Sequence, residues 1–370
     1  MLDFNKPCHI GKEEDAVREA IMNQKLSGNG PFSDECTNWL ETYLNCHRAI
    51  LTPSCTAALE MTALLTEAGP GDDIVMPSYT FVTTANAFVL RGASIRFADV
   101  DPATMNLSPE AVEQAITPET KVIVVVHYAG ISSDMDAIME IARHYRLWVV
   151  EDAAQALTST YKGKALGTIG HMGTFSFHET KNITCGEGGA LIVNDSSLAE
   201  RAEILQEKGT DRKQFARGMV DKYTWRDVGS SFLLSELNAA YLSVQLEHAG
   251  AIMTDRMRTW QAYNQALKTI PDLTLPAVPE ACEHNAHMFY IKTERRSELQ
   301  THLKNQGITA ATHYVPLHTS PAGRRFGEFA GTDNYTTAES DKLLRLPLYH
   351  GMNEKDVDHV ISHVKGFFTV

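Results

Sequence analysis

Residues 147–152, Leu-Trp-Val-Val-Glu-Asp, form a short apolar run that ends in two carboxylates. Such a near-continuous apolar run predicts a strand that is covered on both faces, as in parallel sheets flanked by helices. Its acidic end then lies at the carboxyl edge of the sheet, where α/β proteins bind ligands. Taken alone, such an aspartate is more often a solvated strand end or the N-cap of a following helix than a site residue. The segment therefore predicts an α/β fold and one candidate site residue.

Similar apolar runs recur through the first 250 residues and alternate with segments of helical period. The predicted strands are residues 49–52, 73–76, 95–99, 121–127, 147–151, 174–177 and 190–194. The predicted helices are residues 56–68, 83–91, 109–116, 135–145 and 197–207. This alternation is typical of a mostly parallel sheet with helices on both faces.

The pattern changes after about residue 250. A long helical stretch at 234–267 leads to a proline-bearing connector, followed by a strand at 288–292 and helices at 297–306 and 357–368. These elements predict a smaller α+β unit. We therefore expect a large domain with an N-terminal arm at 1–248 and a small C-terminal domain at 249–370.

Composition excludes several classes of protein. Apolar residues make up 43% and charged residues 21%, which is ordinary for a globular chain. A net charge of −13 disfavours nucleic acid or an anionic membrane as a partner. Six cysteines without a C-x-x-C pair predict neither a disulfide scaffold nor a zinc ribbon. Because no secretory or membrane-spanning run is visible, we expect a soluble, cytoplasmic protein.

A lysine in residues 173–182, GTFSFHETKN, changes the interpretation of Asp152. We expect a strand that presents Ser176, a turn that holds Lys181, and the glycine-rich segment 186–189 after it. A single lysine near glycines is usually a surface residue. A lysine together with a strand-terminal aspartate, however, is what pyridoxal phosphate chemistry requires. The lysine forms a Schiff base, and the aspartate keeps the pyridine nitrogen protonated.

Residues 49–59, AILTPSCTAAL, predict a strand, a tight turn and a helix start. The free amides of that helix start, with the Ser54 and Thr56 hydroxyls, suit a phosphate dianion. A plain N-cap by Ser54 is the alternative interpretation, and the two are compatible.

Six ordered motifs together resemble the DegT/DnrJ/EryC1/StrS family of sugar-nucleotide aminotransferases. They are residues 54–59, 71–77, 79–81, 151–155, 175–177 with Lys181, and 186–189. The resemblance implies the pyridoxal phosphate-dependent fold type I, which is aspartate aminotransferase-like, with a large mixed sheet domain and a smaller C-terminal domain. It also implies a homodimer whose active site borrows residues 229–233 from the other subunit.

The resemblance implies a role for each matching residue. Lys181 would form the Schiff base and move protons, Asp152 would pair with the pyridinium, and Gln155 would bind the ring hydroxyl. The expected phosphate ligands are Cys55, Thr56, Ser176 and, across the subunit interface, Ser231. Phe81 would stack on the pyridine ring, although a phenylalanine in an apolar segment is otherwise simply part of the core. The expected substrate-binding residues are Tyr79, Arg212, His313, Tyr314 and His318. For the donor carboxylate, Arg212, Lys208 and Arg226 remain alternatives.

Three positions depart from the family pattern. Cys55 stands where glycine is common, Ser231 where asparagine is common, and Leu233 where arginine is frequent. Because serine is shorter than asparagine, the phosphate contact across the interface is either absent or mediated by water.

The implied reaction moves an amino group from L-glutamate to C4 of a nucleotide-linked 4-keto-6-deoxy sugar. The nearest alternatives are another keto sugar or position, or a dehydrating relative, in which histidine replaces the lysine. A non-catalytic protein that binds pyridoxal phosphate or a sugar nucleotide, and a cysteine desulfurase that uses Cys185, are further alternatives.

Metal and dinucleotide sites are not favoured. Residues 178–182, HETKN, lack the second histidine of a zinc protease helix, and residues 28–33 lack the third glycine of a dinucleotide loop. The pairs His284/His287 and His313/His318 have no suitably spaced carboxylate or thiol, so they predict surface or substrate contacts.

Overall fold

The computed structural model describes residues 1–369. Its strands are β1 Arg48–Thr52, β2 Asp73–Pro77, β3 Ser94–Ala98, β4 Thr120–Val126, β5 Trp148–Asp152, β6 Thr160–Tyr161, β7 Lys164–Ala165, β8 Met172–Ser176, β9 Gly189–Val193, β10 Cys282–Glu283, β11 Phe289–Lys292, β12 Gly327–Phe329 and β13 Leu343–Leu346. Its α-helices are α1 Glu13–Met22, α2 Pro31–Leu44, α3 Cys55–Leu65, α4 Val82–Val89, α5 Pro109–Ala115, α6 Met135–Tyr145, α7 Ala199–Gln206, α8 Arg212–Ala216, α9 Glu236–Glu247, α10 Ala249–Leu267, α11 Arg296–Asn305, α12 Pro321–Phe326, α13 Thr336–Lys342 and α14 Glu354–Phe368. Within this range, no helix is both long and apolar enough to cross a membrane.

The main sheet has eight strands in the order β1-β9-β8-β5-β4-β2-β3-β12. β9 is antiparallel to both of its neighbours, whereas the pairs from β8 through to β12 are parallel. β1 therefore runs in the same direction as β8, and the carboxyl ends of β1, β2, β4, β5 and β8 meet at one edge. The predicted mixed, mostly parallel sheet is confirmed.

The sheet is buried on both faces, as its apolar strands predict. Along β4, Val122 and Val124 pack in one apolar cluster, and Ile123 and Val125 pack in the other. Helices α3, α4 and α7 cover the first face, while α2, α5, α6 and α9 cover the second. The near-continuous apolar sequence of β4 thus follows from the fact that every side chain in it meets a helix layer.

A separate apolar cluster forms beyond residue 250. The strands β11 and β13 pair antiparallel, and α10, α11 and α14 pack against them. The single helix predicted at 234–267 is wrong: α9 ends at Glu247 and α10 begins at Ala249. His248 lies between them, with φ −97° and ψ 9°. Leu234 and Ser235 precede α9, because Ser235 is its N-cap and accepts a hydrogen bond from the Asn238 amide.

Several segments connect the two parts of the chain. The short strand β12 joins the main sheet beside β3, and β10 pairs with β6. Conversely, Leu2 packs against the C-terminal cluster. The domain limits 1–248 and 249–370 stay a prediction, and these segments show that the chain crosses between the two apolar regions more than once.

Candidate active site

A cavity of about 610 Å³ opens at the carboxyl edge of the main sheet. The ends of β4, β5 and β8 and the start of α3 form its floor and one wall. Residues 287–288, 312–314 and 345–348 from the C-terminal part form the opposite wall, and the N-terminal Phe4 and Asn5 complete the lining. The cavity therefore lies where the sheet rule predicts a ligand site.

Asp152 is the last residue of β5 and lines this cavity with only 6% of its surface exposed. Its carboxylate accepts hydrogen bonds from the Thr84 hydroxyl (2.8 Å) and the Ala154 amide (3.2 Å). No Lys, Arg or His among residues 1–369 forms an ion pair with it, and burial raises its pKa. A buried carboxylate with so few partners favours a cationic ligand beside it.

Lys181 lies in the turn after β8 and also lines the cavity. Burial lowers the pKa of its amine, while the nearby Cys55 and Asp152 act in the opposite direction. The charge of Lys181 likewise offsets part of the effect of burial on the pKa of Asp152. The structure thus brings the two key predicted residues into one site. A lowered pKa favours the neutral amine, which is the form of lysine that attacks a carbonyl carbon.

The start of α3 forms one end of the cavity, lined by Ser54, Cys55 and Thr56. The Ser54 hydroxyl accepts a hydrogen bond from the Ala57 amide, so the predicted N-cap is confirmed. The first intrahelical hydrogen bond runs from the Ala58 amide to the Ser54 carbonyl. The amides of Cys55 and Thr56, which come before it, therefore have no acceptor within the helix. Gly189 of β9 approaches this turn so closely that an added Cβ would lie 2.4 Å from the Cys55 nitrogen.

Gln155, His313 and Tyr314 form an aromatic and polar wall, with Phe81 at its edge. Gln155 accepts from the Ala129 amide at 2.7 Å and donates to the Tyr314 hydroxyl at 3.0 Å. The His313 ring stacks on Tyr314 at 3.7 Å between centroids. Phe81 is 53% exposed, so its ring is available to a ligand rather than packed in the core.

The structure brings most of the predicted residues together. The predicted residues that line the cavity are Cys55, Thr56, Phe81, Asp152, Gln155, Ser176, Lys181, His313 and Tyr314. Two others lie just behind the lining. Tyr79 is buried and packs edge-on against Tyr314, while His318 contacts Ser78 (2.7 Å) and Asp333 (3.2 Å).

The remaining predicted residues lie on the surface of this chain. Ser231 is exposed and forms an isolated bridge with Glu207. Arg212, Lys208 and Arg226 are exposed as well; Arg226 lies 3.3 Å from Asp211, and Lys208 lies 3.8 Å from Glu207. None of these four residues lines the cavity of this chain.

Three cavity features have no counterpart in the sequence prediction of the site. Thr84 orients Asp152, Arg345 of β13 lines the wall, and Phe4 arrives from the N-terminus. His287 was predicted only as a surface or substrate contact. It lines the cavity, its Nδ1 lies 2.9 Å from the Asn182 side-chain oxygen, and burial holds its pKa well below the usual range. In the sequence, Arg345 is a single charged residue in the short apolar run 343–346, and this pattern predicts a strand residue but not its place in the cavity.

Cys185, the alternative nucleophile, lies outside the cavity lining. Its thiol is buried and donates to the Glu187 carbonyl, and burial raises its pKa to about 12. A thiol in this state is a poor nucleophile, which argues against the desulfurase interpretation. No cluster of metal-ligating side chains is present in the described part of the chain.

Comparisons with known proteins agree with this geometry. The chain is 34% identical over 380 residues to the spore coat polysaccharide biosynthesis protein SpsC of Bacillus subtilis, covering 98% of this chain and 96% of that protein. The crystal structure of the aminotransferase TlmJ from Streptoalloteichus hindustanus matches with a TM-score of 0.91 and 31% identity, covering 99% and 98%. The PLP form of the putative sugar aminotransferase Spr1654 from Streptococcus pneumoniae matches with a TM-score of 0.89 and 25% identity, covering 100% and 98%.

A family model matches residues 7–365, which is nearly the whole chain. The neighbours share the pyridoxal phosphate-dependent fold that the sheet order and the cavity display. Pyridoxal phosphate is accordingly the cofactor, and amino transfer in sugar biosynthesis is the class of reaction. On these grounds the chain belongs to the DegT/DnrJ/EryC1/StrS aminotransferase family.

Proposed function

We propose that this protein moves an amino group from L-glutamate to C4 of dTDP-4-keto-6-deoxyglucose and so makes dTDP-4-amino-4,6-dideoxygalactose. The sequence support is local: residues 77–82, 178–182 and 222–231 resemble the dTDP-4-amino-4,6-dideoxygalactose transaminase of enterobacterial common antigen synthesis. The observation that carries the proposal is the meeting of Lys181 and Asp152 in one buried cavity. The proposed product is a cytoplasmic sugar-nucleotide precursor of a cell-surface polysaccharide, so the protein would act in the synthesis of that polysaccharide.

The residues present fit pyridoxal phosphate. Asp152 is a buried carboxylate without a cationic partner among residues 1–369, which suits a protonated pyridine nitrogen. The free amides of Cys55 and Thr56 and the hydroxyls of Thr56 and Ser176 suit the phosphate. Gly189 supports this assignment, because any side chain there would push the phosphate-binding turn out of place.

The cofactor, when bound, supplies an aldehyde that combines with amines and a ring that accepts electrons from the carbon next to the nitrogen. Lys181 would hold the cofactor before substrate arrives. Its Nζ would then carry the proton between the α-carbon of the amino acid and C4′ of the cofactor. Asp152, kept in place by Thr84, would hold the ring proton. Gln155 is already anchored by the Ala129 amide, so its remaining hydrogen-bonding capacity can position the ring hydroxyl.

His313 and Tyr314 are the residues of this chain that would contact the sugar. They line the wall opposite α3, and Tyr79 packs against both rings from behind. Burial lowers the pKa of His313 well below the usual range and raises that of Tyr314, so both side chains are neutral hydrogen-bonding groups at pH 7. Neutral donors and acceptors suit the hydroxyls of a deoxy sugar better than charged groups would.

The active unit we propose is a homodimer in which residues 229–233 and Arg212 face the cavity of the other subunit. The exposed position of Ser231 supports this arrangement, since an exposed loop is available for contact with a second subunit. A mixing experiment tests it: Lys181→Ala and a variant with Trp at Ser230 and Ser231 are each inactive, but together they regain activity. The heterodimer then contains one site with a native lysine and a native loop. No recovery after proven subunit exchange, or a monomer in sedimentation, contradicts the dimer.

The substrate is tested with a panel of nucleotide-linked keto sugars. The protein is first converted to its pyridoxamine form with L-glutamate, and each sugar is then added while the return of pyridoxal absorbance is followed. We expect the 4-keto-6-deoxy sugar linked to dTDP to react fastest. A faster reaction with a 3-keto sugar or with another nucleotide would contradict the proposed substrate and leave the family assignment intact.

A further inference from the structure

Arg345 is a charged residue in the middle of β13, a strand that is otherwise apolar. Leu344 and Leu346 on either side of it are buried in the C-terminal apolar cluster. Because side chains alternate along a strand, Arg345 is directed to the other face, where it lines the cavity that contains Lys181. An arginine at this position is costly unless an anion compensates it.

The hydrogen bonds of Arg345 are incomplete. One terminal nitrogen donates to the Thr312 carbonyl at 2.9 Å, and the buried Nε has no partner within residues 1–369. No carboxylate of this part of the chain lies within ion-pair distance of the guanidinium. A guanidinium offers five N–H donors, and because one terminal nitrogen bonds Thr312 and Nε is enclosed by protein, the other terminal nitrogen is the group left for a ligand.

The groups around Arg345 do not neutralise it. Three tyrosines near it, Tyr79, Tyr128 and Tyr314, are kept neutral because burial raises their pKa values. Lys181 is also near: its pKa is lowered first by burial and further by the charge of Arg345. The cavity thus contains an uncompensated positive charge close to the reactive amine.

The guanidinium is also held in a fixed orientation. Its Cζ lies over the Phe4 ring, 4.6 Å from the ring centroid, and the hydrogen bond to the Thr312 carbonyl restrains one terminal nitrogen. A preorganised fork of this kind binds a planar carboxylate through two parallel hydrogen bonds and loses little side-chain freedom on binding. The contact also explains why Phe4, from the far N-terminus, belongs to the cavity lining.

Three anionic groups enter a site with the proposed function: the α-carboxylate and the side-chain carboxylate of L-glutamate, and the diphosphate of a sugar nucleotide. The α-carboxylate is attached to the carbon that bears the amine, so it must lie beside the Lys181 nitrogen when that amine reacts, whereas the side-chain carboxylate is two methylene groups farther away. The diphosphate is attached to C1 of the sugar, across the ring from C4. We propose, on the basis of the proposed function, that Arg345 binds the α-carboxylate of the amino-acid donor.

The test separates the two half-reactions of the cofactor-loaded protein by absorbance. Arg345→Met and Arg345→Lys are compared with Arg325→Met, which removes an exposed arginine of α12. We expect the apparent Kd for L-glutamate to rise about 10- to 100-fold in Arg345→Met, as for a lost charge-assisted hydrogen bond. Arg345→Lys should recover part of this loss, and Arg325→Met should match the unchanged protein. The apparent Kd for the keto-sugar nucleotide should stay the same in all three variants.

Other outcomes overturn the assignment. A weakened sugar-nucleotide half-reaction with normal glutamate binding would assign Arg345 to the diphosphate. An unchanged Kd for both substrates, or a loss that tracks a lower thermal midpoint or weaker cofactor binding, would make the arginine structural. If the unsubstituted protein reacts with no amino acid at all, the proposed function fails, and that result is seen before any variant is compared.

Discussion

Glu151 and Asp152 are consecutive buried residues of β5, yet the carboxylate of Glu151 accepts many more hydrogen bonds than that of Asp152. Glu151 accepts from the amides of Gly167 (2.7 Å), Ile169 (2.7 Å) and Gly170 (2.6 Å) and lies 2.8 Å from His127 Nε2. Asp152, on the cavity side, accepts from only one hydroxyl and one amide. The strand alternation places one carboxylate in a completed internal network and the next one where a ligand completes it.

The same contrast extends to the nitrogen-bearing side chains of the two regions. On the side of Glu151, the nearby His127 is fully partnered, because its Nδ1 accepts from the Ser133 amide. On the cavity side, neither Lys181 nor Arg345 has a carboxylate partner within residues 1–369, and the Nε of Arg345 is unpaired. In these two neighbouring regions, the carboxylate and the basic side chains without an ion-pair partner line the cavity, whereas Glu151 and His127 are partnered inside the fold.

The largest expected effect is on the cavity side. Lys181→Ala removes the group that carries the proton, so we expect turnover to fall about 10⁴-fold, the upper end for lost acid–base catalysis. Cofactor affinity should survive in part, because the contacts of the ring and the phosphate remain. The measurement is the rate of the glutamate half-reaction beside a cofactor titration. A Lys181→Ala variant with more than a tenth of normal turnover would remove the lysine from the mechanism.

Asp152→Asn should slow the reaction by at least about 10²-fold while the protein stays folded. Asparagine can still accept the Thr84 hydrogen bond, but it cannot stabilise a positive charge on the ring nitrogen. Rates of both half-reactions, with the thermal midpoint as a control for folding, measure this effect. Near-normal rates would mean that Asp152 only caps the end of its strand.

Glu151→Gln should give the opposite result, with a loss of stability rather than of chemistry. Whichever way the amide is turned, its NH₂ group meets N–H donors that the carboxylate accepted, so we expect the free energy of unfolding to fall by about 2 kcal/mol. Denaturant unfolding measures it, and Glu140→Gln on the exposed side of α6 is the matched control. A stable Glu151→Gln variant with lost turnover would reverse the roles that we assign to the two carboxylates.

The smallest effect is a pH dependence of the cofactor-free protein. Burial raises the pKa of Asp152, so its charged form destabilises the folded state, a penalty absent below about pH 4 and growing as the pH rises through the raised pKa. Asp152→Asn should then be more stable than the unsubstituted protein near pH 7, and the difference should vanish near pH 4. Thermal midpoints across this range measure it, with the exposed Asp358→Asn as the control. A difference that does not depend on pH would contradict the raised pKa.

Much of the fold could be predicted from local patterns. The apolar strands β4 and β5, the N-cap Ser54 and the position of Asp152 at a strand end follow from residues that are adjacent in sequence. The break at His248 could not be predicted, because neither proline nor glycine occupies that residue and the helical pattern continues across it. The pairing of β12 with β3 depends on three residues that meet the sheet only through the tertiary fold.

Site residues that belong to a recognisable sequence motif could be predicted. Those that reach the cavity only through tertiary packing could not. Lys181 and Asp152 are distinctive as a pair, so their meeting in one cavity could be expected. Arg345 has the local pattern of an ordinary strand residue that faces water, and only the packing of β13 beside Phe4 places it in the cavity. Thr84 has no signal of its own, since a threonine in an apolar helix is common.

The most direct test of the central claim, that the unpartnered groups of this cavity face a cofactor held by Lys181, is chemical mapping. The protein purified with pyridoxal phosphate is reduced with borohydride, digested, and its peptides are analysed by mass spectrometry. We expect the reduced cofactor on Lys181 and on no other lysine, and Asp152→Asn should retain the label at the same residue. A label on a different lysine, or none in a protein that is otherwise folded, would contradict the claim.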